Sequence, residues 1–274
     1  MTSVNNPTYI FIIPRTPFSQ RNSFREKLWS TCLKSLYNQT YQHWKALLIG
    51  HNIEIPNNND QFTNIQFEGT KEEKLQKATE YIIQNNIPGE YIIRLDDDDI
   101  INPTILEKAS KLIFDLYVDK HQWFWHYESG KISQRVWNWL PNTCIHKRDH
   151  ALTEWGNFAN GNFKRFKKQA LLIENDHSQL HPYYKDKKIV FTEKTHPVYL
   201  RTITSSSITA QNAQDHEVYL KRFGLWHRNN LKDFQFLNKV ALNNPETLPE
   251  YTLKEKLSNL WLNYRSRQNY RKNI

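Results

Sequence analysis

An α/β fold built on a mainly parallel sheet is what this sequence predicts, and three observations carry that expectation. Short apolar runs alternate with stretches whose apolar residues recur every three or four positions. Their order over the first half is strand, helix, strand, strand, helix, strand, helix, which places crossover helices between parallel strands. Four consecutive aspartates, Asp96 to Asp99, directly follow one of the apolar runs, and the carboxyl ends of strands are where open α/β sheets bind ligands.

Each element has a local reason. Thr8 to Ile13 reads as a buried first strand ended by Pro14. Ser23 with Glu26 three residues on has the form of a capping box for a helix that buries Phe24, Leu28, Cys32 and Leu36. Trp44 to Ile49 is a second strand stopped by Gly50, residues 54 to 61 are a polar loop, and Asn64 to Phe67 is a short third strand. Lys71 to Gln84 is a second helix with Leu75, Ala78, Ile82 and Ile83 inward. Pro88-Gly89 turns the chain into Tyr91 to Leu95, the strand that ends at the aspartates. Asn102-Pro103 starts a third helix, whose stripe is Ile105, Leu106, Ala109, Leu112, Ile113, Leu116 and Tyr117. Gln122 to Tyr127 and Lys131 to Trp139 are two strands around a Glu128-Ser129-Gly130 turn. Short strands follow at Lys188 to Phe191 and Val198 to Arg201, and the chain reads helical from Asp215. The predicted division is a domain over residues 1–225 and a basic helical appendage over residues 226–274.

Composition excludes several classes. The chain has 274 residues, enough to bury a core without staples. Seven glycines and no GxGxxG or GxxxxGK[ST] argue against Rossmann dinucleotide enzymes and P-loop NTPases. Two distant cysteines, Cys32 and Cys144, make neither a disulfide framework nor a zinc pattern and suit a reducing compartment. The sequence shows no secretion-type leader and no apolar stretch of membrane-spanning length, so a cytoplasmic location is expected, with peripheral contact at the inner face of the cell membrane open. The net charge of +9 favours anionic partners, but no nucleic-acid-binding motif is present and none is expected to bind.

Four adjacent carboxylates repel one another unless positive charge sits among them. A divalent cation, Mg2+ or Mn2+, is the natural partner for such oxygens. A solvated acidic loop is the competing reading, and the strand before and capped helix after the aspartates favour the metal site.

Read together, four segments resemble a family-2 glycosyltransferase of the GT-A fold, and in particular rhamnosyltransferases. FIIPRTPFSQRNSFREKLWSTCLKSLYNQTYQHWKALLIG is similar to the family's opening strand, first helix and second strand. YIIRLDDDDIINPTILEKA resembles its LDxDDxxxP segment, NTCIHKRDHALTEWGNF its acceptor-side strand and helix, and IENDHSQL with KKIVFTEKTHPVYLRTITSSSIT its ED segment and closing P-x-Y-x-R strand. The resemblance covers residues 8 to about 207. It implies an inverting, metal-dependent transfer of a sugar from a nucleotide-diphospho-sugar donor to a glycan or lipid-linked glycan acceptor in surface polysaccharide synthesis. Asp96 and Asp98 match the two acids of the DxD motif and would hold the metal, with Asp96, Asp97, Pro14 and Arg15 around the nucleotide. Asp176 falls where the family keeps its catalytic base, with Glu174 the nearest rival. Asp99, His177 and Trp155 are acceptor-side candidates. Two departures stand out: the place of a base-binding aspartate reads Ile49-Gly50-His51, and Arg201 is followed by Thr202-Ile203-Thr204 with no histidine ligand. A nucleotidyltransferase and a non-catalytic glycan-binding protein of the same fold are the alternatives.

The final segment has its own pattern. Leu253, Leu257, Leu260, Trp261 and Tyr264 share one helical face, flanked by Lys254, Lys256, Arg265, Arg267, Arg271 and Lys272. Such a stripe packs on the domain or lies in an anionic membrane interface, and the packed arrangement is the one expected.

Overall fold

The computed structural model describes residues 6–54, 60–136, 140–155, 169–173, 180–205, 215–242 and 248–272, with backbone alone for 267 and 269–272. In chain order the elements open with β1 (Tyr9–Pro14), α1 (Ser23–Tyr37), β2 (Trp44–Gly50), β3 (Phe62–Gln66), α2 (Lys71–Gln84) and β4 (Tyr91–Arg94). Then come β5 (Ile100–Ile101), α3 (Ile105–Ala109), β6 (Leu116–Val118), β7 (Gln122–His126), β8 (Lys131–Arg135), β9 (Ile145–Lys147) and α4 (Arg148–Leu152). The rest are β10 (Glu154–Trp155), β11 (Gln169–Ala170), α5 (Leu180–Tyr184), β12 (Ile189–Phe191), β13 (Tyr199–Ile203), α6 (His216–Lys221), β14 (His227–Arg228), a 3-10 turn (Lys232–Lys239) and α7 (Leu253–Lys272).

The expected α/β architecture is present. A seven-stranded sheet runs β12-β6-β9-β4-β1-β2-β3. Its neighbours are parallel except at β9, which is antiparallel to both β4 and β6. Alternation along β1 supplies both faces: Tyr9, Phe11 and Ile13 pack with α1 and α3, while Ile10 and Ile12 pack with α2. A second sheet, β14-β8-β7-β13-β5, lies alongside. Trp123 and Trp125 are core residues there, sharing a cluster with Leu28, Leu231, Phe234 and Leu237. The segment that begins at residue 226 therefore contributes to this core before α7 is reached.

Several local expectations change. Asn22, not Ser23, caps α1, its side chain accepting from the Phe24 and Arg25 amides; Glu26 instead accepts from Arg15. β3 starts two residues early. In α2, which opens on a capping box of Thr70 with Glu73, Ile83 is not inward: a rotation of about 100° from Ile82 leaves it 60% exposed. The largest change is in the third helix. It ends after Ala109, Leu112 and Ile113 are exposed, and Leu116–Val118 become a fully buried strand. Pairing with β9 and β12 gives those residues backbone partners and burial together, and that outweighs a helical spacing. Gly130, at φ +69°, allows the predicted turn between β7 and β8. Residues 137–139, the end of the expected second strand there, lie outside the described residues.

Topology decides where a ligand can sit. From β1 the chain moves outward through β2 and β3, then returns to place β4 on β1's other side. The strand order reverses between β1 and β4, and the carboxyl ends of those two strands flank the crevice that such a reversal opens. Pro14 ends one, and Asp96 to Asp99 follow the other.

Candidate active site

A cleft of about 320 Å³ opens at this reversal, within the size range of small-molecule sites. Pro14, Arg15 and Thr16 line it from β1, the four aspartates from β4, and Arg201 and Thr202 from β13. Arg25 reaches in from α1, and Lys71 and Lys74 from α2. Five cationic side chains thus face four carboxylates, so a cation and an anionic ligand can be held in one place.

Each aspartate has a different environment. Asp97 Oδ2 accepts from Arg15 Nη1 at 2.6 Å and from the Thr16 amide at 2.7 Å, and Oδ1 accepts from the Thr16 hydroxyl at 3.1 Å. Both partners of that ion pair are nearly buried. Asp98 Oδ2 accepts from Arg25 Nη1 at 2.6 Å, and Asp96 Oδ2 from Lys71 Nζ at 2.5 Å. Asp96 and Asp98 keep about a quarter of their side-chain surface open. Asp99 is buried and accepts from the Thr202 amide at 2.9 Å.

The charge states separate accordingly. Burial opposes ionisation of Asp96, but Lys71, Arg94 and Arg201 outweigh it and hold the carboxyl at about 2. Burial and the neighbouring Asp97 and Asp96 push Asp98 up to about 6, against the pull of Arg25. Burial, Asp98 and Asp96 raise Asp99 well above the usual carboxylate range, with Arg201 and the Thr202 amide opposing.

Arg15 is held by three further contacts. Glu26 takes its second guanidinium nitrogen at 2.9 Å, the Trp29 ring lies 4.3 Å beneath it, and buried Lys74 donates to its carbonyl oxygen at 2.9 Å. A side chain at Gly50 would place its Cβ 2.9 Å from that of Arg15. Gly50 therefore serves the close approach of the β1 loop to β2, at the position where the family resemblance would have an aspartate nearby.

Asp96 and Asp98, each with about a quarter of its side chain open, are the candidates to hold a divalent cation. Asp96 Oδ1 is buried and has no hydrogen-bond partner among the described residues, which suits a metal-ligating oxygen. Among the described residues no three His, Cys, Asp or Glu side chains converge as a cage. Carboxylate oxygens are the ligand type that magnesium and manganese take, and one or two carboxylates can suffice for them.

The other candidates fall into two groups. Glu174, Asp176 and His177 lie outside the described residues. Trp155 sits in β10, where its ring packs edge-on against Tyr183 at 5.0 Å beside Leu116, Val118 and Leu171. Sequence reasoning missed Thr16, Arg25, Lys71 and Lys74 as site residues. A signal existed for two of them: Arg25 and Lys71 are cations in the first turns of α1 and α2, where the helix dipole disfavours positive charge. Helices that follow β1 and β3 begin at the carboxyl edge of the sheet, so their first turns face the crevice.

No family model matches this chain, and no curated protein matches it. Among solved structures it is similar to S. aureus TarS, residues 1–349, at 15% identity over 97% of this chain and 81% of that one, with a TM-score of 0.44. The same TarS fragment in complex with UDP-GlcNAc gives 13% identity over 97% and 89%, with a TM-score of 0.47. The glycosyltransferase GlyE of Streptococcus pneumoniae TIGR4 gives 13% identity over 85% of this chain and 63% of that one, with a TM-score of 0.41.

Proposed function

We propose that this chain is an inverting, metal-dependent glycosyltransferase of the GT-A kind, moving a sugar, with a deoxyhexose such as rhamnose favoured by the sequence resemblance, from a nucleotide-diphosphate donor to a glycan acceptor. The pathway we assign is surface polysaccharide synthesis, with the reaction in the cytoplasm. One observation carries the reading: four carboxylates and five cations meet in one cleft where the parallel sheet reverses its strand order.

The chemistry follows from charge. A leaving nucleoside diphosphate must be neutralised. Asp96 and Asp98 would hold a divalent cation, which would supply Lewis acidity there. Lys71 and Arg25 pair with those same carboxylates and line the cleft, so they are the cations that would meet the phosphates of a bound donor. Arg15, locked under Asp97, shapes the wall of the nucleotide pocket rather than moving. Asp176 is assigned as the base that takes the proton of the acceptor hydroxyl. The hydroxyl oxygen bonds to the anomeric carbon as the bond to the diphosphate breaks on the opposite face, which inverts that centre without a second nucleophilic carboxylate.

A thermal-shift panel of nucleoside diphosphates, each with manganese and with chelator, tests this reading. Binding to the native state raises the midpoint. A rise for one nucleotide that depends on manganese is the expected result. Flat responses across the panel would leave a glycan-binding protein as the better account, and preference for a nucleoside triphosphate would favour nucleotidyl transfer.

A further inference from the structure

The last helix is mounted with its polar side inward. Within α7, Leu253, Leu257, Leu260, Trp261 and Tyr264 fall on one arc of about 100° of the circumference. All five are more than half exposed, from 55% at Trp261 to 73% at Leu253. The opposite arc carries Glu255, Asn259, Leu262, Asn263 and Ser266, all partly buried, as is Gln268 beyond the end of the stripe. Glu255 anchors that side, accepting from Lys221 at 2.9 Å while it also caps the helix through the Thr252 amide at 2.8 Å. The packed arrangement expected for the apolar stripe is therefore not the one formed. An ordinary surface helix does the reverse, and an apolar face of this length exposed to water marks an interaction surface.

Charge says which surface covers it. Lys254 and Arg265 border the stripe on one side and Lys256 on the other, all exposed. Arg265 lies over the Trp261 ring at 5.2 Å. Across a shallow groove of about 240 Å³ bordered by Leu260 and Tyr264 stand the exposed Lys194 and His227. An apolar arc rimmed by cations matches the acyl boundary and phosphate layer of an anionic bilayer. A second copy of the same helix would instead bring basic rim against basic rim, which repels. No helix among the described residues is long and apolar enough to cross a membrane, so the contact is one of a helix lying in the interface.

We infer that α7 docks the protein on anionic phospholipid, its Leu253–Tyr264 face immersed and Lys254, Lys256, Arg265 and Lys194 at the phosphates. This goes beyond the assignment of the cleft and does not need it. The test is co-flotation of the full chain with phosphatidylcholine vesicles, with and without phosphatidylglycerol. Binding to the phosphatidylglycerol vesicles alone, weakened by salt, is expected. Each basic residue near the surface contributes about fivefold, so replacing Lys254, Lys256 and Arg265 together by Gln should weaken binding on the order of 100-fold. Replacing Leu257, Leu260 and Trp261 together by Ser should abolish it and leave the thermal midpoint unchanged, since none of the three is buried. The inference is overturned by absence of flotation, by equal flotation with the uncharged vesicles, by a midpoint collapse in the Ser variant, or by a dimer in solution that this variant converts to monomer. None of these readouts involves a nucleotide, so a failure here is distinct from a failure of the glycosyltransferase reading.

Discussion

Removing the carboxylate of Asp97 should destabilise the fold more than it impairs ligand binding. Asp97 and Arg15 form a 2.6 Å pair whose side chains are 10% and 2% exposed. Two Thr16 hydrogen bonds end on the same carboxylate. Taking away one partner of a buried pair costs about 3–5 kcal/mol, because the other charge is left uncompensated. Here Glu26 and Trp29 still hold the guanidinium, and Glu26 is half exposed, so Asp97→Ala belongs at the lower end, about 3 kcal/mol. For a chain of this size each kcal/mol moves the melting midpoint by about 2–4 °C, which puts the expected drop at about 6–12 °C. Urea unfolding of Asp97→Ala, Glu26→Gln and the double variant measures it. Glu26→Gln alone should cost less than about 1 kcal/mol, as an exposed partner does. In the Asp97→Ala background its cost should grow, because Glu26 is then the remaining counter-charge of Arg15, and such coupling appears as non-additivity. An Asp97→Ala protein within about 1 kcal/mol of wild type, with additive energies and a collapsed nucleotide affinity, would refute the argument and make Asp97 a ligand-facing group.

Other outcomes follow from the same geometry. Asp98→Asn should abolish manganese-dependent nucleotide binding and leave the fold intact; unchanged affinity with and without chelator in a calorimetric titration would remove the metal assignment. Asp176→Asn should lower turnover roughly 100-fold or more with nucleotide affinity near wild type, and near-normal turnover would shift the base role to Glu174. Asp119 gives a pH signature. Burial raises its carboxyl from the ordinary 3.8 to about 7, opposed by hydrogen bonds from Thr192 and the Val198 amide. The folded chain then holds the proton more tightly than the unfolded chain, so that contribution to stability is full below about pH 4 and is lost as the pH rises toward 7. Asp119→Asn should remove this part of the slope, and urea midpoints of the two proteins that fall in parallel from pH 5 to about pH 7.5 would contradict it.

Local pattern was enough for a large part of this molecule. β1, β2 and β4 are short apolar runs bounded by Pro14, Gly50 and Pro88-Gly89, and α2 carries its own start in Thr70 and Glu73. Both signals lie within a few residues, so they are readable before any contact is known. The position of Asp96 to Asp99 at the end of a central strand was legible for the same reason. Where the reading failed, distant segments decided. Leu116 and Tyr117 have helical spacing, yet β9 and β12 draw them into the sheet. The partners of the aspartates lie 82, 73 and 25 positions away, at Arg15, Arg25 and Lys71, and nothing in the spacing of charges along the chain couples them. That α7 has an apolar stripe with a basic rim is legible in residue spacing alone. Which way the stripe faces could not be read there, because it depends on how the helix seats on the domain: Glu255, on the polar arc, meets Lys221, and the five apolar side chains stay exposed.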